Sequence, residues 1–420
     1  MTTDVAPPPV AWTGDAAFLA EYEACLRLRH TPGIGPRTWK RIFDHYPSAV
    51  AALDDVAAFG ARGLCSEAIA GTLARGASRP AAQREMEAAA RKGLVPLPYY
   101  HPAYPGRLRE LPDPPAALYV VGDAALLGGP CVAMVGARQC SRYGFAQARD
   151  IAAGLAAAGI TVVSGLAFGI DRQAHLGGLT GPGRSVAVCG TGLDLVYPDA
   201  NMDVWRQLAA TGAIVSEFSP GTPPQPQNFP IRNRIIAGLS LGVMVVEAAA
   251  RSGSLITARL ALDQGREVFA LPGPVNLPSF AGCHTLLVQG ARLVQTAGDI
   301  VEALARELAA FVDAPRPHAP APSPAAAAEK VGPAPKRASA TPAAPSRPAR
   351  ERKPAADGPL PELSPLEARV LALLDGGRGH IDALAARLAT TAGALNHALV
   401  LLEMKGLVRK LPGMYYTRDV

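Results

Sequence analysis

CVAMVGARQCSRYG, residues Cys131 to Gly144, runs a short apolar strand into Gly136, places Arg138 two positions later, and passes through small polar residues into an alanine-rich helical stretch. A strand that turns through glycine into a helix makes an anion-binding turn. Gly136 has no side chain and lets the backbone approach a ligand closely, and the N–H groups at the start of the next helix favour negative charge. Arg138 adds a planar fork of donors suited to phosphate.

Downstream of this turn the chain alternates short β-branched runs with helical segments. The runs are CVAMVG, ITVVSG, SVAVCG, AIVSEF, VMVVEA and EVFALPG. This alternation predicts an α/β, Rossmann-like domain with a mainly parallel sheet and helices on both faces. Strand C-termini of such a sheet share one edge, so the loops that follow should converge on one crevice. Those loops hold Gly136, Ala137 and Arg138; Ser164 and Gly165 through Phe168 to Asp171; Gly190 and Gly192; and Ser252, Gly253 and Ser254. QNFPIRNRIIAGLS, residues 227–240, adds a helix start at Pro230 with Arg232, Asn233 and Arg234 in its first turn. Cations gain nothing from the helix dipole there, which points to an anion or to acidic partners.

The 420 residues are 49% hydrophobic and 18% charged, enough for two or three domains with cores of their own. A proline-rich leader, 1–15, precedes an N-terminal helical domain, 16–93. There Pro32-Gly33-Ile34-Gly35-Pro36 sits between two helical patterns, as in a helix-hairpin-helix (SAM-like) motif that holds phosphate through backbone N–H groups; it also suits an ordinary junction of two helices. Residues 94–130 read as an extended connector packing on the core, and 131–310 as the Rossmann-like domain. An alanine-, proline- and lysine/arginine-rich stretch, 311–361, is expected to be a disordered basic linker. The final segment, 362–420, shows helical patterns at 365–374, 381–388 and 392–405, then LVRKL and MYYTR about Pro412-Gly413, which is the order of a winged helix.

With 41 basic and 35 acidic residues the net charge is +6, a modest lean toward an anionic partner. The six cysteines lack zinc-ligand spacing and read as reduced thiols. No signal peptide is visible, so the cytoplasm is the expected compartment. The uncharged span from Ile151 to Ile170 divides at Gly159 into a helix end and a strand, and no membrane partner is expected. Asp171, His175, Glu217, Glu247 and His284 are the candidate acids and bases near strand ends. Asp171 and His175 stand four apart, on one helix face, without a third ligand, and no nucleophile or nucleotide fingerprint accompanies them. No catalytic residue, metal or cofactor is expected.

VGARQCSRYG, SGLAFGIDRQAH, GTGLDLVYP, SEFSPG, FPIRNRIIAGLS, VVEAAARSGSLITARLALDQGREVFALPG and GCHTLLVQGA together resemble the DNA-processing protein A family, DprA or Smf. YPGRLRELPDPPAALYVVGD, the N-terminal glycine hairpin and the C-terminal segment fit as well. The resemblance implies a homodimer without enzymatic activity that binds single-stranded DNA, protects incoming DNA and loads RecA in natural transformation. It makes Arg138 the leading DNA contact, with Ser164, Gly165, Arg232, Asn233 and Arg234 in the same phosphate pocket and Phe168 either a base-stacking platform or a buried aromatic. Ala137 and His284 depart from the family's usual serine or threonine and asparagine. The competing expectations are a phosphoribohydrolase-like nucleotide enzyme using Glu247 in the same crevice, and a transcription regulator acting through the winged segment.

Overall fold

Both faces of the central strands are covered, which is why the six apolar runs carry no polar alternation. The computed structural model describes residues 15–312 and, further on, 364–375, 377, 379–388, 390, 395, 398–399, 402–403, 407–411 and 415–418. Nearly all of the expected leader and of the basic linker, and the Pro412-Gly413 turn, lie outside the described residues. Residues up to 327 and those after it form separate compact units.

The first unit holds a nine-stranded sheet. Its strands are β1 (Val95–Pro98), β2 (Ala117–Gly122), β3 (Cys131–Val135), β4 (Thr161–Ser164), β5 (Ser185–Val188), β6 (Ala213–Ser216), β7 (Gly242–Val245), β8 (Glu267–Ala270) and β9 (Arg292–Leu293). Their order is β1-β2-β6-β5-β4-β3-β7-β8-β9, and every pairing from β6 to β9 is parallel. β1 and β2 are antiparallel to each other, and β2 is antiparallel to β6. The segment read as an extended connector therefore builds two strands of the same sheet. Pro96 and Pro98 masked β1 in the sequence, and an edge strand tolerates them.

The helices follow from N-caps and chirality. α1 (Ala16–Arg29), α2 (Pro36–His45), α3 (Ala49–Asp54), α4 (Glu67–Ala74) and α5 (Arg79–Arg91) precede the sheet, with Asp15, Ser48 and Ser66 capping α1, α3 and α4. The turn between α1 and α2 passes through Gly33 at φ +87°, where a β-carbon would lie 2.7 Å from the Ile69 side chain. α6 (Gly106–Arg109) joins β1 to β2. The crossovers are α7 (Arg142–Ala157), α8 (Ile170–Gly178), α9 (Met202–Thr211), α10 (Asn228–Leu239), α11 (Ser254–Asp263) and α12 (Ala281–Val288), and α13 (Ala297–Ala303) and α14 (Ala305–Val312) close the unit. α7 and α8 pack together, as do α10 and α11; right-handed crossovers running in opposite directions from β3 put the two pairs on opposite faces. No helix among the described residues is long and apolar enough to cross a membrane, and the span from Ile151 to Ile170 is the end of α7, a turn and β4.

The second unit has α15 (Pro365–Leu374), capped by a reciprocal Ser364–Glu367 box, then α16 (Ile381–Leu388). β10 (Gly379–His380), β11 (Val408–Leu411) and β12 (Tyr415–Arg418) form a sheet in the order β10-β12-β11. Only part of the third expected helix falls within the described residues, and those positions are helical.

Glu85 of α5 ties the N-terminal helices to the sheet. Its side chain, 3% exposed, pairs with Arg29 and lies 2.6 Å from His30 Nε2. It also accepts from the Tyr119 hydroxyl of β2 and, at 2.8 Å, from Ser219 Oγ after β6. Burial opposes its ionisation, but Arg29, His30 and Tyr119 together prevail and hold the carboxyl down at about 2. A depressed folded-state value contributes stability above the ordinary value of 4.5 that is lost as pH falls through about 2. Glu85→Gln is expected to lower stability at pH 7 by roughly 3 kcal/mol or more and to flatten its fall between those two pH values. Urea unfolding at a series of pH values checks both.

Candidate nucleic-acid interface

Loops at the C-terminal ends of β3, β4 and β5 meet the N-terminal turn of α10 on one edge of the sheet. Arg138 leaves the loop after β3 exposed, and no carboxylate pairs with it among the described residues. Its guanidinium lies 5.8 Å from the ring centroid of Phe229, and that of Arg232 lies 5.9 Å from the same ring. Tyr197, 43% exposed, sets its ring 5.7 Å from Phe229 at 38°. Gly190 permits this grouping, since a β-carbon there would come within 3.0 Å of the Phe229 ring.

Arg232 is buried and works inward. Its Nη1 donates to the Gly165 carbonyl at 2.8 Å and to the Val188 carbonyl, joining the ends of β4 and β5 to α10. Nε donates to Asn233 Oδ1 at 3.2 Å. Burial lowers the pKa of Arg232 from its ordinary value, Asp171 works against that fall, and the nearby charge of Arg138 adds to it. Two cations beside one ring, with a single buried carboxylate close to them, leave the outer one to attract an anion.

The loop from Ser164 to Gly169 is locked from beneath. Asp171 Oδ2 accepts from the N–H groups of Gly165 and Ala167 at 3.1 and 3.3 Å. His175 Nε2 accepts from the Leu166 N–H at 3.2 Å, so its Nδ1 carries the proton and donates to Ser185 Oγ at 2.8 Å. Burial, with the charge of Arg232, pushes His175 down to about 3. The neutral ring is thus the folded form, and protonation as pH falls below the ordinary 6.5 works against this loop. Asn201 Nδ2 donates to the carbonyls of Leu166 and Ala167 at 2.9 and 3.1 Å. Phe168 stands at the apex, 46% exposed, so the buried alternative does not hold.

The expected site residues divide accordingly. Arg138, Gly165, Gly190, Arg232 and Asn233 come together around Phe229. Ser164 is fully buried and donates its hydroxyl to the Met134 carbonyl at 2.6 Å, which takes it out of a ligand's reach. Arg234 turns to the other side of α10, donates to Glu217 Oε2 at 2.5 Å and lines a cavity of about 610 Å³ with Arg29 and Ile231. Gly136 is close-packed against the chain itself, because a β-carbon would lie 2.6 Å from Ile170 Cγ1. Gly192 is confined in the same way by Asp194 and the Ser219 carbonyl. Ser252, Gly253 and Ser254 start α11 beyond β7, with the two serine hydroxyls 2.7 Å apart.

None of the candidate acids and bases is left as a free reactive pair. Asp171 and His175 hold the loop, and burial raises the pKa of Glu217 against the opposing charge of Arg234. Glu247 is engaged with the Ser141 N–H and hydroxyl. His284 Nε2 donates to the Gly273 carbonyl at 3.0 Å, so this departure from the family pattern does make a polar contact. No group of three or more His, Cys, Asp or Glu side chains among the described residues is placed to hold a metal ion. Phe229 and Tyr197 were not singled out from sequence, although both stand inside the quoted motifs beside prolines; an aromatic residue interleaved with cations was the available signal.

Residues 96–305 match the model of the family described as DNA recombination-mediator protein A. Residues 20–88 match a DprA-like N-terminal HHH domain and residues 354–414 a DprA winged helix domain. Protein Smf of Escherichia coli is 49% identical over 213 residues, a match covering 50% of this chain and 57% of that protein. Protein Smf of Synechocystis sp. is 36% identical over 326 residues, covering 76% of this chain and 78% of the relative. The X-ray structure of DNA processing protein A from Streptococcus pneumoniae is similar at 34% identity with a TM-score of 0.57, over 66% of this chain and 95% of that one.

Gly169 offers a direct check of the locked loop. At φ +70°, a β-carbon there would lie 2.3 Å from the Ala137 carbonyl oxygen and 2.5 Å from that of Arg138. Gly169→Ala is expected to cost about 2 to 4 kcal/mol of stability, measured by thermal or denaturant unfolding.

Proposed function

Since the chain belongs to the DNA recombination-mediator protein A family, we propose that it binds single-stranded DNA across the loop edge of its central sheet, protects it and loads RecA onto it during natural transformation. It acts as a homodimer in the cytoplasm and turns over no substrate. The observation that carries this reading is the exposed Arg138, without a carboxylate partner among the described residues, beside the Phe229 and Tyr197 rings.

A cation over an aromatic platform suits a flexible strand. The guanidinium takes the phosphate backbone, and the rings take whichever base follows, since every base has a π face. Arg138 is the phosphate contact. Phe229 and Tyr197 are the stacking surface, and Phe168 is a further one at the loop apex. Gly165, Gly190 and Asn233 shape the floor, and Ser252, Gly253 and Ser254 lie farther along the same edge. Arg232 acts through its hold on Gly165 and Val188, and Ser164, Gly136 and Gly192 act through the backbone they fix. Arg234 has no place in this contact.

The phosphoribohydrolase alternative loses support because its acid, Glu247, is buried against the start of α7. Release of free base from nucleoside monophosphates by the purified protein would restore it.

Arg138→Ala is expected to weaken oligo-dT binding about tenfold at moderate salt and to lower the salt slope by about 0.7, the share of one single-strand phosphate contact. Phe229→Leu should lose about 1 to 3 kcal/mol with the slope unchanged, as stacking does. Fluorescence anisotropy across a salt series separates the two. Wild-type affinity and slope in Arg138→Ala would refute the assignment.

A further inference from the structure

The strand order reverses between β3 and β7, since β4 to β6 lie on one side and β8 and β9 on the other. An open α/β sheet ordinarily offers its ligand crevice at such a point, with a helix N-terminus turned toward a phosphate. Here that place is filled from within the chain. Glu247 follows β7 by two residues, is 1% exposed, and sends its carboxylate to the N-terminus of α7. Oε1 and Oε2 accept from the Ser141 N–H at 3.1 and 3.0 Å, and Oε2 accepts from the Ser141 hydroxyl at 2.7 Å. Ser141 Oγ accepts in turn from the Gly144 N–H at 3.0 Å, completing the cap.

Two glycines make room for this residue. A β-carbon at Gly144 would lie 2.2 Å from Glu247 Oε2, and one at Gly136 would lie 3.0 Å from the Glu247 carbonyl oxygen. That carbonyl accepts the Ala137 N–H at 2.7 Å. The segment carrying Arg138 is therefore fastened at both ends to one residue, at Ala137 by its carbonyl and at Ser141 by its carboxylate. Beyond those fastenings, the Arg138 guanidinium lies beside the Phe229 ring.

We propose that Glu247 is a positioning residue for strand binding: it is the built-in anion of the α7 N-terminus, and it holds the turn from Ala137 to Ser141 so that Arg138 stands beside Phe229. The inference rests on the reading of Arg138 as a phosphate contact. It also accounts for where the ligand goes. A carboxylate at the switch point repels a phosphate there, and Arg138, displaced toward β4 and β5, offers an exposed cation to one side of it. The crevice is closed to the phosphate of a mononucleotide and left open to the backbone of a strand passing beside it.

The test uses the full chain with oligo-dT and compares Glu247→Ala, Glu247→Gln, Arg138→Ala and the Glu247→Ala/Arg138→Ala double variant. Each is measured in sodium chloride and in sodium formate at equal ionic strength, well below its melting temperature. Glu247→Ala is expected to bind about tenfold more weakly with a salt slope lower by about 0.7. Formate, a carboxylate small enough for the vacated place, restores it several-fold and does nothing for Arg138→Ala. The double variant binds no worse than Arg138→Ala within about twofold, because both changes remove one contact. Glu247→Gln keeps an acceptor for Ser141 and falls in between; if Glu247→Ala does not fold, the loss in Glu247→Gln must vanish in the Arg138→Ala background. Wild-type affinity in a folded Glu247→Ala, a loss indifferent to formate, or full additivity with Arg138→Ala would overturn the proposal. Failure of the wild-type protein to bind oligo-dT, or wild-type binding by Arg138→Ala, would instead overturn the reading beneath it.

Discussion

A buried guanidinium holds the working edge of this molecule together. Arg232 reaches from α10 to the carbonyls of Gly165 and Val188, so one side chain joins the ends of two parallel strands to the helix crossing over them. Removing a guanidinium from water is costly, and the carbonyls with Asp171 nearby are what make it tolerable. Asp171 in turn holds the N–H groups of Gly165 and Ala167. The loop from Ser164 to Gly169 is thus pinned on its carbonyl side by a cation and on its amide side by an anion. Phe168 and Arg138 are displayed on a rigid base because the charges behind them are mutually satisfied.

The same economy explains why so many charged residues near the strand ends take no part in contact with a ligand. Glu217 and Arg234 pair on the far side of α10, Asp171 and His175 lie under the loop, and Glu247 caps α7. Each is a residue type that catalysis uses, and each is already committed within the chain, Glu217 and Arg234 to each other and Asp171, His175 and Glu247 to backbone N–H groups. What is left facing outward beside α10 is Arg138 with several rings, a surface fitted to grip rather than to react.

Much of the fold was legible because buried parallel strands advertise themselves as unbroken apolar runs between glycines. β1 escaped notice because Val95-Pro-Leu-Pro98 reads as a strand breaker, and β9 because two residues carry no period. The site was less legible, for a geometric reason. Arg232 and Arg234 are adjacent in any list of cations, yet two positions along a helix turn a side chain through about 200°, so they cannot serve one pocket. Ser164 is a strand-end hydroxyl by sequence, and only the register of β3 against β4 reveals that the Met134 carbonyl claims it. The importance of Phe229 required knowing that Arg138, some ninety residues earlier, comes to lie beside it.

The prolines of β1 also decide what the sheet can be joined to. Amides alternate in direction along a strand, and the Tyr99 N–H, just past β1, points inward to the Ala116 carbonyl. Positions 96 and 98 therefore point outward, and both lack an N–H. The outer margin of β1 holds carbonyls without donors, only half a ladder, and Pro96 and Pro98 are themselves buried. Growth of the sheet by another chain is thus blocked at one end by the same two residues that hid the strand.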